Sequence, residues 1–156
     1  MNNSTIENAT YDIISEFAKT IEMFGLSPLE ARLFVYLYLQ NQPKTLDDMS
    51  EALGKSKTSM STGIRSLSDF NLVTLVWRKG VRKDLYEANN ELFKSFMNNY
   101  VTKWINASNH QKDALEKIHH ELKKLNIEEY PEITDNLTRI IDFHRQLESS
   151  FRRLQS

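Results

Sequence analysis

Apolar positions in the first third of the chain recur at helical spacing. Ile6, Ile13, Ile14, Phe17, Ala18 and Ile21 predict an amphipathic helix from about Thr5 to Phe24, with Gly25 to stop it. Ser27-Pro28 then offers an N-cap followed by proline at the first helical position, opening a helix from Leu29 to Gln40. Leu33, Phe34, Leu37 and Tyr38 form one face of it, and Val35, Tyr36 and Leu39 widen that face, so this helix is expected to be buried on most sides. After the break at Asn41-Gln42-Pro43, Thr45 caps a short helix through Leu53. Asp47 and Asp48 fall in its first turn, where the helix dipole favours acids. Gly54-Lys55 is a turn and Ser56 caps the next helix, on which Met60, Ile64 and Leu67 share one side. Leu72 to Trp77 is rich in β-branched and aromatic residues and predicts a strand. Arg78 to Lys83 supplies a turn around Gly80, and Asp84 to Ala88 returns as the partner strand.

The remaining chain is helical in period. From about Asn90 to Leu125 there is neither proline nor glycine, and Met97, Val101, Trp104, Ser108, Gln111, Leu115, Ile118, Leu122 and Leu125 follow a 4-3 alternation. Pro131 marks a break. From about Glu132 the same spacing returns at Ile133, Leu137, Ile140, His144, Leu147, Phe151 and Leu154. Two coiled-coil seams of this length exceed what one small head can bury, so pairing of two copies through these helices is expected. The predicted division is 1–90 for the head, with its N-terminal helix, and 91–156 for a helical dimerisation region.

Composition narrows the class. At 156 residues, with 40% hydrophobic and 26% charged residues, the chain has the make-up of a soluble globular protein rather than a disordered one. No apolar run approaches the ~20 residues that cross a bilayer. The opening MNNSTIENATYD lacks a signal-peptide pattern and there is no cysteine, so a cytoplasmic protein without thiol chemistry is expected. Only four glycines occur, Gly25, Gly54, Gly63 and Gly80, too scattered for a phosphate-cradling or dinucleotide-binding loop.

The formal charge is −1 overall, but it is unevenly spread. Between Gly54 and Asp84 stand Lys55, Lys57, Arg65, Arg78, Lys79, Arg82 and Lys83 against only Asp69 and Asp84. A basic segment in a near-neutral chain is what a local phosphate-binding surface requires. On the helix capped by Ser56, Lys57, Thr58, Ser61, Thr62 and Arg65 lie opposite the apolar side. Their short side chains let a helix sink into a major groove, where hydroxyls reach phosphates or base edges and Arg65 reaches phosphate or guanine. Helix, turn and helix followed by a hairpin with a basic tip is a winged helix-turn-helix, whose wing lies along the backbone or enters the minor groove. The expected fold is therefore mainly α, a winged head with a two-stranded wing and long C-terminal dimerisation helices. The expected DNA-contacting set is Lys55, Ser56, Lys57, Thr58, Ser61, Thr62, Arg65, Arg78, Lys79, Arg82 and Lys83. A two-fold dimer would place two reading helices in successive major grooves of double-stranded DNA, about 34 Å apart, on an approximately palindromic operator.

Read with these elements, the segments GKSKTSMSTG and WRKGVRK resemble the GbsR branch of the MarR-like winged-helix regulators. The resemblance covers roughly residues 10–105 and is strongest between Thr45 and Ala88. It implies a dimeric repressor of genes for uptake or synthesis of the osmoprotectant glycine betaine, with choline, or a related quaternary ammonium compound, as effector and an aromatic cage as its site. A quaternary ammonium cannot donate hydrogen bonds, so such a cage must offer ring faces. Phe93, Phe96, Tyr100 and Trp104, at spacings of three, four and four, together with Trp77, Tyr36 and Tyr38, supply candidate rings, which at helical spacing also suit plain core packing.

The other side chains suggest no chemistry. His119 and His120 are adjacent, His110 lacks a histidine or cysteine partner one turn away, and His144 falls on a seam, so neither metal nor cofactor is expected. The acidic residues are dispersed over helix surfaces without a catalytic pair, which argues against an enzyme. Two competing readings remain open: a winged helix used as a protein-docking module, and a MarR-like regulator of another pathway with no choline ligand.

Overall fold

A computed structural model of the chain describes residues 3–125 and 131–155. Six helices and one two-stranded sheet follow in the order α1 (Asn3–Glu22), α2 (Pro28–Leu39), α3 (Leu46–Leu53), α4 (Lys57–Asp69), β1 (Val73–Val76), β2 (Leu85–Ala88), α5 (Leu92–Lys124) and α6 (Pro131–Leu154). The break expected before Pro131 falls on residues 126–130, outside the described residues. The chain divides into two compact units, Met1–Phe96 and Met97–Ser156, and the division falls inside α5.

Local sequence sets the helix boundaries in the first unit. Ser27 and Glu30 form a reciprocal capping box at the start of α2, with the Glu30 amide donating to the Ser27 hydroxyl and the Ser27 amide to the Glu30 carboxylate. Thr45 and Asp48 repeat the device at α3. α3 ends on Gly54 in the left-handed region (φ 65°), where a side chain would be strained, and this turn lets α4 start three residues later under the Ser56 cap. The first helix ends two residues before the expected Phe24. Ile6, Tyr11 and Ile13 are exposed, so the helix supports the head only through Ile14, Phe17, Ala18 and Ile21 nearer its C-terminal end.

α2 is the hub of that unit. Ala31, Leu33, Phe34, Val35 and Leu37 are buried, as its all-round apolar pattern requires, and they meet Met49 and Leu53 of α3 and Met60, Ile64 and Leu67 of α4 in one core. Gly63 permits α4 to lie close against α2, since a Cβ there would come within 3.0 Å of the Leu33 side chain. The wing strands pair antiparallel with Val73 opposite Ala88 and Val76 opposite Leu85. A further bridge escapes the sequence pattern. Lys44, just ahead of α3, exchanges both backbone hydrogen bonds with Tyr86 (2.9 and 2.8 Å) and so ties the wing to the helix-turn-helix.

In the second unit α5 and α6 form an antiparallel pair, shown by Trp104 stacking on Phe151 at one end and Glu116 bonded to Arg145 at 2.8 Å further along. The expected seams are corrected here. Val101, Ile105 and Ser108 of α5 and Leu137 and Ile141 of α6 are the buried positions, whereas Ile118, Leu125, Ile133, Ile140 and Leu154 are exposed. Each seam therefore divides along its length: one flank packs on the other helix of the same chain, and the alternate positions remain open. Polar contacts fix the register of the pair, with the Ser108 hydroxyl donating to the His144 carbonyl and Lys112 meeting Glu148 at 3.1 Å in a largely covered site.

Candidate nucleic-acid interface

α4 carries its two chemistries on opposite sides. Met60, Gly63, Ile64 and Leu67 are buried, while Lys57, Thr58, Thr62 and Arg65 are exposed and Ser61 is half-covered. The Thr62 hydroxyl donates to the Thr58 carbonyl at 3.1 Å, which leaves its oxygen outward as an acceptor. Ser56 is committed to the cap, accepting from the Ser59 amide at 3.1 Å and donating to the Ser59 hydroxyl at 2.9 Å. Lys55 is exposed in the turn that precedes it.

The wing tip is a tight turn. Val81 N–H donates to the Arg78 carbonyl, and Gly80 sits at φ 82° in the third position, the geometry of a type II turn. Arg78, Lys79 and Arg82 stand exposed around it, and among the described residues neither they nor Arg65 take part in an ion pair. Lys83 differs. Its Nζ lies 2.7 Å from Asp47 Oδ2, while Lys57 Nζ lies 3.3 Å from Asp47 Oδ1, so the first turn of α3 links the start of α4 to the wing. These two lysines hold the Asp47 carboxyl below the usual carboxylate range, and Asp47 in turn raises the Lys83 ammonium. Asp47 is absent from the sequence-derived set, because its partners lie ten and thirty-six positions away and no periodicity connects them.

The aromatic residues are dispersed. Phe96 is only 5% exposed and fills the head core against Phe34 (5.0 Å) and Phe24 (5.2 Å), whereas half-buried Tyr38 packs on Phe17 and Phe34 at the edge of that core. Tyr36 faces a groove of about 450 Å³ shared with Tyr11, Ile14 and Arg32, where burial, then Asp48 and Glu51, push its hydroxyl above the ordinary tyrosine range. Trp77 and Phe93 are 81% and 80% exposed. Tyr100 and Trp104 meet Phe151, a seam residue of α6 absent from the candidate cage rings, and Trp104 stacks on it at 5.1 Å with the planes 5° apart. Rings that close leave no gap for an ammonium between them, so a cation would have to use an outer face. Among the described residues no group of three or more His, Asp or Glu side chains could hold a metal ion, and no helix is long and apolar enough to cross a membrane.

A helix with a polar outer face and a basic hairpin fixed beside it define a winged helix-turn-helix, and the comparisons with known proteins agree. No protein-family model matches the chain. It is 32% identical over 147 residues to the HTH-type transcriptional repressor GbsR of Bacillus subtilis (strain 168), covering 94% of this chain and 81% of that one. It is 33% identical over 120 residues to the HTH-type transcriptional repressor OpcR of the same organism, covering 77% of this chain and 65% of OpcR, slightly less than two thirds of that relative's length. The crystal structure of a transcriptional regulator superposes with a TM-score of 0.65 at 18% identity, covering 93% of this chain and 94% of the other, which shows the fold. The chain belongs to the HTH-type transcriptional regulators and is not an enzyme.

Proposed function

We propose that the protein is a homodimeric, cytoplasmic DNA-binding repressor of the GbsR-type, MarR-like branch, acting at genes for osmoprotectant uptake or synthesis. The carrying observation is the outward set on α4, exposed Lys57, Thr58, Thr62 and Arg65 with half-covered Ser61, beside the wing cations Arg78, Lys79 and Arg82, which form no ion pair among the described residues. The helix reads base edges and the wing holds the backbone. Dimerisation is supported by the exposed apolar positions of α5 and α6, and the branch by the likeness to GbsR and OpcR. Choline or a related quaternary ammonium compound serves as effector. It acts by binding one dimer geometry better than another and so shifting the population able to hold DNA. Tyr36 in its groove and the Tyr100, Trp104 and Phe151 cluster are the places with rings available to it.

Gel shifts with DNA upstream of the chain's own gene, with and without choline and glycine betaine, test binding and effector together. Absence of salt-sensitive DNA binding would instead favour the protein-docking use of the fold, and binding indifferent to both compounds would favour a regulator of another pathway. Two substitutions divide the labour within the interface. Arg65→Ala is expected to weaken operator binding by about 1–3 kcal/mol while scrambled DNA is held nearly as before. Equal losses on both sequences would deny Arg65 a base-reading role. Lys79→Ala with Arg82→Ala should lower affinity on every sequence and flatten the salt dependence by roughly two contacts; an unchanged slope would place the wing away from DNA.

A further inference from the structure

Asp47 has more cationic partners than its local role requires. Asp48 already closes the capping box of α3 with Thr45, and a second acid in that turn adds only a modest dipole term. Asp47 instead directs its two oxygens at separate lysines: Oδ1 at Lys57, the first residue of the reading helix, and Oδ2 at Lys83, at the end of the wing turn. All three side chains are between 46% and 67% exposed, and ion pairs at such exposure contribute little to stability. Their consequence is electrostatic. Two ammonium groups converge on one oxyanion at 2.7 and 3.3 Å, on the surface that the proposed function assigns to DNA. A carboxylate and a phosphodiester oxygen ask the same of a lysine, a charge-assisted N–H···O⁻ bond.

We infer that Asp47 stands in, in the free protein, for a DNA phosphate between Lys57 and Lys83, and thereby limits the affinity of this surface for the nucleic-acid backbone. To meet a phosphate, each lysine must give up part of its bond to Asp47, and the carboxylate repels the phosphate it makes room for. Neither effect depends on base sequence. Asp47 is thus a residue that sets how tightly and how salt-dependently the regulator holds any duplex, while Arg65 and the hydroxyls of α4 read sequence. The inference rests on the DNA-binding role proposed above.

The test is fluorescence anisotropy of the full chain on the upstream DNA and on a scrambled duplex across a salt series. Asp47→Asn removes the charge and keeps the shape, and is expected to tighten binding about three- to tenfold on both duplexes and to steepen the salt slope by about one. Asp47→Glu, which keeps the charge, should stay near wild type. In a Lys57→Gln, Lys83→Gln background the gain from Asp47→Asn should shrink to the part due to direct repulsion of the phosphate, because the carboxylate would have no lysine left to occupy. Unchanged or weaker binding by a folded Asp47→Asn protein overturns the inference, as does an equal gain in the background lacking both lysines. A wild-type protein that binds neither duplex would instead remove the DNA-binding reading, and the two failures are therefore distinct.

Discussion

Glutamate at both Ile140 and Phe143 is expected to convert the proposed dimer to a monomer and to weaken its operator binding by about 10²–10⁴-fold. The two residues are 45% and 56% exposed, one turn apart on α6, and the antiparallel register that joins Glu116 to Arg145 brings Ile118 of α5 level with them to within a turn. Apolar side chains at Ile118, Leu125, Ile133, Ile140, Phe143 and Leu154 lie outside the buried flank of the pair. An exposed apolar surface extending along two helices is what a second copy would cover. Glutamates there remain solvated in the isolated chain, so the fold should change by no more than about 0.5 kcal/mol. In a dimer they would be buried without partners. The loss on DNA follows because the second half-site is engaged intramolecularly only when the two heads are joined. Light scattering after size exclusion reports the mass, and anisotropy on operator DNA reports the affinity. A variant that stays dimeric would locate the interface elsewhere, with the exposed Ile6, Tyr11 and Ile13 of α1 the next surface to examine.

Phe96→Ala is expected to destabilise the head by about 3–5 kcal/mol. The ring is almost fully covered, with Phe34 edge-on at 5.0 Å and Phe24 tilted at 5.2 Å, so its removal leaves a cavity bounded by side chains that are themselves held by the core. The energy at stake is a large part of what a small domain has. Chemical denaturation followed by far-UV circular dichroism measures it. The result decides between two uses of one residue. A cage residue would cost effector binding with little loss of stability, whereas a core residue costs stability whether or not an effector is present. A loss below about 1 kcal/mol would contradict core packing of the Phe96 ring.

The contrast between Phe96 and Trp104 shows where reading from spacing stops. Both lie on α5 two turns apart and both fit one helical stripe, yet Phe96 enters the head core and Trp104 stacks on Phe151. Spacing assigns residues to a side of a helix; it does not say what that side meets. The seams on α5 and α6 carry the same lesson. A 4-3 alternation reports that both flanks of a stripe are apolar. Whether the first partner is the other helix of the same chain or a second copy depends on a reversal of direction that leaves no period in the sequence. Asp47 and Lys44 are further cases, since their partners at Lys57, Lys83 and Tyr86 are brought near only by folding.

The sequence by itself determined the local features of this protein. Ser27, Thr45, Gly54 and Ser56 act within a few residues of themselves, so the starts of α2, α3 and α4 and the stop of α3 could be placed from side-chain chemistry alone. The same holds for the two faces of α4, because a 3.6-residue period assigns Met60, Ile64 and Leu67 to one side and Lys57, Thr58, Thr62 and Arg65 to the other. The wing could be read too, from β-branched strands flanking a glycine turn. Tertiary structure alone decided which aromatic rings are core, which flank of each long helix stays open, and that one carboxylate joins α4 to the wing. Those outcomes depend on contacts between residues far apart in the chain, and such contacts follow from the packing of whole elements, which no local pattern encodes.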